Sequence, residues 1–490
     1  MASNARMGGL LLIGLGAASL AAPAMAADEV IYWNNVLLSA FRLDYGTGCP
    51  CPLARAGAMT QIAVYEAVNS IERTHQPYYS FIDAPPTASK EAAVAAAAHG
   101  VMLTLFPNST TSLNNTYTAR LALIPDGPDK DAGIAVGEAA AAACITLRSE
   151  DGSQTTEPYT FGTNPGDYIP TAASSFVCSN EWVHVAPFCM PSSTQFRNSG
   201  PLGHSVMSEL LASPEYAQQF NEVKDYGALN SPSRTAEQTR IAFFWANDLN
   251  GTYKPPGQLF AITRIVSEEH ALSLAQNARL FALVGLAMGD AAVVAWDMKY
   301  GTDIDLWRPA TAIWKADIDG NPATDADPNW QPLNPFTPPF PSYVSGHATF
   351  GGAHAGVMAA YFHTDDITFT VVSEDPYYHA LPSHPPRTFH SFSEAAHENA
   401  MSRVYLGVHF RMDSEDGNAA GFALGQSVGQ NFLLPLCPAD IDDSSFVNGV
   451  DFDIFVSAFE AGDPSADFDG NGFVNGDDFD LFAYHFVAGC

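Results

Sequence analysis

Ser345, Gly346 and His347 follow one another in PSYVSGHATFGG (341–352), placing a hydroxyl, a bare backbone amide and an imidazole at one turn. Upstream, AWDMKYGTDIDLWRPATAI sets Lys299 and Arg308 nine residues apart. Downstream, SRVYLGVHFRMD sets Arg403 and His409 six apart. Three cations with a serine and a glycine amide suit a tetrahedral oxyanion: guanidinium forks match its oxygens and an ammonium adds a point charge. A helix running from Ala348 would add its N-terminal dipole. His409 is then available to bond the central atom, and His347 to move a proton.

The elements that must hold these groups read as helices. Apolar residues recur at helical spacing over 54–73, 90–106 and 131–148, again over 267–300, a stretch long enough for two helices in line, and over 391–407. Strand-like alternation is scarce, so the expected fold is all-α, a large helical bundle with long loops. Two segments interrupt the pattern, 150–197 and 317–342, the second with seven prolines in 26 residues. Loops of that length in a compact domain tend to be functional or disordered. DIDGN (317–321) hints at calcium, but position twelve of such a loop falls on Pro328, so it reads as a turn.

The three blocks together resemble the signature shared by vanadium-dependent haloperoxidases and the soluble acid phosphatases of the type-2 phosphatidic acid phosphatase superfamily. That signature runs Lys-x6-Arg-Pro, Pro-Ser-Gly-His, Ser-Arg-x5-His-x3-Asp. Ser402, Arg403, His409 and Asp413 complete the third block; in the second, Val344 replaces the proline; in the first, eight residues separate Lys299 from Arg308. The likeness continues through WRPATAI, GNPATDADPNW and SFSEAAHENAMSRVYLGVHFR. It implies a bundle of the vanadium haloperoxidase/acid phosphatase type, in which Lys299, Arg308, Ser345, Gly346 and Arg403 hold vanadate oxygens. His409 takes the axial position and His347 is the acid/base group. Hydrogen peroxide then oxidises a halide to hypohalous acid, with an organic substrate as a further acceptor. In the phosphatase version a phosphate ester is cleaved through phosphorylated His409. Trp296 and Phe340 match aromatic positions on the halide side of the family's chloroperoxidases, which favours the haloperoxidase; core packing is the other account of both rings. A third reading, a non-catalytic scaffold, rests on the longer first block and on Val344. His354, His384 and His390 receive no role.

The chain ends are of another kind. Residues 1–26 read as a secretory signal with a small-residue cleavage site, so the expected location is secreted or periplasmic, with no membrane span. Seven cysteines in an exported chain suggest disulfides with one thiol left over. The net charge of −32 disfavours nucleic acid as a partner. Residues 437–490 form a separate unit after a body of 27–436. Its two copies, ADIDDSSFVNGVDFDIFVSAFEAG and ADFDGNGFVNGDDFDLFAYHFVAG, repeat with a 27-residue offset. The second places Asp467, Asp469, Asn471, the Phe473 carbonyl, Asn475 and Asp478 at calcium-loop positions, with Gly472 at the sharp turn. The first offers Asp440, Asp442, Ser444, the Phe446 carbonyl, Asn448 and Asp451, with Ser445 where glycine is expected. The shared FVNGxDFDxF resembles dockerin type I repeats, which implies a small α-helical, Ca2+-binding domain and a cohesin-like partner. Phenylalanines 446, 452, 455 and 459 are expected to pack against 473, 479, 482 and 486, with a Cys437–Cys490 disulfide joining the ends.

Overall fold

The computed structural model describes residues 28–43, 49–171, 177–442 and 447–488; the expected signal lies outside them. The chain is built from helices α1 (Glu29–Leu43), α2 (Pro50–Glu72), α3 (Lys90–Leu105), α4 (Thr110–Leu121), α5 (Pro128–Leu147), α6 (Met207–Ala212), α7 (Pro214–Tyr226), α8 (Ala236–Phe244), α9 (Lys254–Glu269), α10 (Leu274–Tyr300) and α11 (Pro309–Trp314). Then come α12 (Gly346–Phe362), α13 (Pro376–Ala380), α14 (Phe392–Tyr405), α15 (Arg411–Asn431), α16 (Gly449–Ala461) and α17 (Gly476–Ala488). One antiparallel pair, β1 (Phe369–Val371) with β2 (Arg387–Phe389), is the only sheet among the described residues.

The helical stretches read from periodicity are all present, with one difference. The 267–300 run breaks near its start: Ala271 takes a left-handed conformation (φ 51°), and Ser273 then opens α10 with a capping box to Gln276. From there α10 is one unbroken helix of 27 residues. It is long and apolar enough to cross a membrane, yet 94% of its apolar window is buried inside the bundle, as expected of a helix apolar all round. Among their described residues the loops 150–197 and 317–342 carry only short 3-10 turns as helical elements, and Asp319 closes the DIDGN turn on Asn321 and Thr324.

Helices α12 and α15 cross with their backbones touching. A Cβ on Gly421 would stand 2.1 Å from the Thr349 carbonyl, and one on Gly352 2.2 Å from the Asn418 carbonyl. Only glycine permits that approach. Because both helices begin near the crossing, it brings Ser345–His347 beside His409–Asp413.

Cys49 is bonded to Cys178 with Cα atoms 5.9 Å apart. Cys437 is disulfide-bonded; its expected partner Cys490 lies outside the described residues. The expectation of a single spare thiol is corrected: Cys51, Cys144 and Cys189 are all free, each held in the packed body, Cys144 donating to the Met59 carbonyl.

The body ends in a clamp. His75 and Pro435 form an antiparallel bridge, with Gln76 N donating to Leu434 O (2.7 Å) and Leu436 N to Thr74 O (3.0 Å). Beyond it, Ala439, Phe455, Ala466 and Phe482 form a second apolar cluster apart from the main core. Phe455 and Phe482 stack at 3.9 Å, and Phe452, Phe459, Phe479 and Phe486 surround them. Phe473 departs from expectation. It is 73% exposed, because its loop turns outward around Gly472, and Phe446 lies outside the described residues.

Candidate active site

Four chain segments converge on the anion-binding residues. Trp296 and Lys299 sit in the last turns of α10, and Arg308 is the residue before α11. Ser345 caps α12, its hydroxyl accepting from the Ala348 amide at 3.3 Å, so the helix starts two residues earlier than its spacing suggested. Arg403 lies in the last turn of α14, and a tight turn with Gly407 in positive φ leads to His409.

Arg308 and Arg403 are fully buried. Arg308 Nε donates to Phe340 O (2.7 Å), and its Nη1 to Val408 O (2.8 Å) and towards His409 Nε2 (3.0 Å). Arg403 Nη2 reaches Asp248 at 3.2 Å. Three of their nitrogens, Arg308 Nη2 and Arg403 Nε and Nη1, have no hydrogen-bond partner. Buried charged donors left unpaired are strongly unfavourable in a protein that binds nothing there. The Ser345 hydroxyl, which keeps its own proton to donate, and the first-turn amides of α12 add to an array made of donors. Such an array fits a tetrahedral oxyanion such as vanadate or phosphate.

His409 is 2% exposed and its Nδ1 lies 3.0 Å from Asp413 Oδ2. The same oxygen takes the Ser342 hydroxyl (2.5 Å) and the Phe410 amide (3.0 Å). This carboxylate therefore holds the proton on Nδ1 and leaves the Nε2 lone pair directed at the arginines. Burial first, then Arg308 and Lys299, hold His409 well below the usual histidine range, so it is neutral. His347 is also pushed down, to about 4, by burial and then Arg403, with Asp248 pulling the other way. Its Nε2 donates to Ala246 O at 3.0 Å, which makes Nδ1 the basic nitrogen.

Lys299, expected at the anion, is engaged by backbone carbonyls in this structure. It is fully buried and donates to the carbonyls of Pro341 (2.7 Å), Ser342 (3.2 Å) and Val344. Those three bonds use all its protons. Its charge stays near the site, but its bonds shape the loop that delivers Ser345. Trp296 and Phe340 do meet, ring centres 5.0 Å apart, with the Arg308 guanidinium 4.6 Å and the Lys299 ammonium 4.8 Å from the Phe340 ring centre. His354 bonds Thr263 in the core, while His384 and His390 are exposed.

Asp248 was not legible in the sequence. It lies in the loop between α8 and α9, pairs with Arg403 and stands 3.7 Å from His347. The only signal was a polar cluster in WANDLNG, which reads as a turn.

Residues 279–434 match the family model for the VCPO second helical-bundle domain, the stretch that carries the anion-site residues. The matched stretch is similar to a domain of the vanadium haloperoxidases. The chain is 27% identical to the vanadium chloroperoxidase of Curvularia inaequalis, over 79% of each chain. Its fold is similar to that of a bacterial vanadium-dependent iodoperoxidase, at a TM-score of 0.68 and 24% identity, covering 83% of this chain and 96% of that one. A bacterial vanadium-dependent chloroperoxidase in its holo form superposes at a TM-score of 0.61 and 17% identity, covering 79% and 93%. The anion-site residues are thus carried on a fold similar to that of these solved structures.

In the tail, carboxylate oxygens of Asp440, Asp442 and Asp451 lie within 4.8 Å of one another, and so do those of Asp467, Asp469 and Asp478. Asp467 Oδ1 is buried without a partner. Asn448 and Asn475 accept from the Val450 and Asp477 amides at the starts of α16 and α17, and Asn471 contacts Asp469. Ser444 and Phe446 lie outside the described residues.

Proposed function

We propose that the chain is a vanadate-dependent haloperoxidase that uses hydrogen peroxide to oxidise halide to hypohalous acid. The carrying observation is the pair of buried arginines whose unpaired N–H groups flank a neutral, carboxylate-oriented histidine. Vanadate, when bound, supplies the metal centre at which hydrogen peroxide is activated for two-electron oxidation of halide. Arg308, Arg403, Ser345 and the Gly346 amide would hold its oxygens. His409 Nε2, directed by Asp413, would be its protein ligand. His347 Nδ1 takes and returns the proton, held in place by the Ala246 carbonyl and faced by Asp248. Trp296 and Phe340 exclude water on one side, where a halide loses its hydration shell.

The donors recognise oxygens rather than the central atom, so phosphate should compete with vanadate. The test is purified protein with vanadate, peroxide and bromide or chloride, beside a phosphate ester. Halide oxidation that needs vanadate and is blocked by phosphate is expected; phosphate-ester cleavage without any halide oxidation would favour the phosphatase reading.

For residues 437–490 we infer a separate dockerin-like module whose two loops each take Ca2+. The grouped carboxylates and the unpartnered Asp467 oxygen support this, as does Gly472, whose φ of 89° suits the sharp turn. The module would dock a cohesin-like partner, and the chain would be exported through residues 1–26. Binding of the isolated tail to immobilised cohesin, with and without calcium, tests the partner.

A further inference from the structure

We infer that Cys178 is a specificity-determining positioning residue, and that its disulfide to Cys49 sets the shape of the halide wall. This rests on the haloperoxidase reading of the site.

The Cys178 peptide is the rung between the two segments that carry the aromatic pair. Its carbonyl accepts the Trp296 indole N–H at 3.0 Å and the Tyr300 hydroxyl at 3.4 Å, and its amide donates to Pro339 O at 3.0 Å, one residue before Phe340. Trp296 is fully buried, so its N–H depends on this acceptor. Yet Cys178 belongs to the long irregular stretch between α5 and α6, not to a helix. Cys178 is itself buried in the core, but the segment that carries it borders a cavity of about 700 Å³, lined by Val177 and Ser179 on either side of it, with Cys49 and Trp182. The covalent link to Cys49, at the start of α2, adds a fixed support to that packing. The tether spans 129 residues of sequence and fastens the rung to the bundle.

Opening the link frees the rung, and the indole loses a fixed acceptor. The wall then fits a desolvated anion less closely. The smaller halide is the more strongly hydrated, so it needs the closer fit and suffers more when the wall loosens. Peroxide and the oxyanion meet the arginines and histidines, which the rung does not touch.

Cys49→Ala tests this, since it removes the tether and leaves the Cys178 peptide in the chain. In the vanadate-loaded enzyme, the KM of the smaller of two oxidised halides should rise about tenfold relative to the larger, the scale of one buried hydrogen bond. The KM for peroxide should hold. A halide ratio unchanged from wild type, or a peroxide KM that rises in step, overturns the inference. A wild type that oxidises no halide overturns the haloperoxidase reading and this inference with it. An active wild type with an indifferent variant sinks the inference alone. If Cys49→Ala does not fold, folded wild type reduced with dithiothreitol and alkylated takes its place. Cys437→Ser is the control there, with no shift expected. Thiol alkylation of the denatured, unreduced chain with peptide mapping gives a reading independent of activity: the three free thiols of the structure are expected to be labelled, and label on Cys49 and Cys178 would show that their bond does not form.

Discussion

His409 Nδ1 and Asp413 Oδ2 stand 3.0 Å apart, one turn from each other at the start of α15, and both side chains are buried. The carboxylate also holds Ser342, so a single group fixes the imidazole and the loop leading to Ser345. Asp413→Asn should keep the fold and lower turnover or vanadate affinity by about 10- to 100-fold, the usual effect of losing a ligand's supporting partner. His409→Ala should abolish turnover. His347→Ala should lower it by roughly 10² to 10⁴ while oxyanion binding persists. Steady-state kinetics beside vanadate titration separate the three; wild-type turnover in His409→Ala would remove it from the site.

Lys299→Met should act first on stability. It leaves three buried carbonyls without their donor, at about 1–3 kcal/mol for each unsatisfied acceptor, offset in part because an ammonium is no longer buried. Lys299→Arg, which keeps a charge but not the compact three-way geometry, should recover only part. Urea unfolding of the body measures this. A variant as stable as wild type with weaker vanadate binding would return Lys299 to the anion.

Acid should loosen the body through His354. Burial lowers this histidine to about 3, and its hydrogen bond runs to Thr263. The unfolded chain takes up its proton near pH 6.5, the folded chain only near 3, so stability falls as pH drops between those values. At pH 4.5 the histidine alone should account for about 2–3 kcal/mol of lost stability. His354→Leu should flatten the decline between pH 6.5 and 4.5, measured by urea midpoints. An unchanged slope would refute the assignment.

Calcium removal should unfold residues 438–490 and leave the oxyanion site working. Twelve Asp and Glu with no Lys or Arg in that stretch repel one another unless a cation gathers them. The second loop should bind more tightly, because Gly472 suits its turn and Ser445 does so less readily. Calorimetry of the isolated tail with and without chelator reads both; the absence of a calcium-dependent transition counts against the module.

What the sequence disclosed depended on the kind of contact. Helices with a strong apolar period were legible to within a few residues, as α3 and α14 show. The grouping of Ser345, Arg403 and His409 was legible because these residues stand in ordered blocks of the sequence. The carbonyl partners of Lys299 were hidden, because no residue letter displays a backbone contact. Asp248 and the Cys49–Cys178 pair were hidden because each joins segments far apart in the chain, 155 residues between Asp248 and Arg403 and 129 between the cysteines. The 267–300 break turned on Ala271 adopting a left-handed conformation, which alanine does not advertise.

The clamp at residues 74–76 and 434–436 decides where mechanical load enters the body. A pull on the tail meets this short antiparallel pairing before it meets α15. The load then passes to α2, because Asn69 grips His75 through both the amide (3.1 Å) and the carbonyl (2.7 Å). An enzyme tethered by its C-terminus would thus hang from its central bundle, with the helix that carries Asp413 left unstretched.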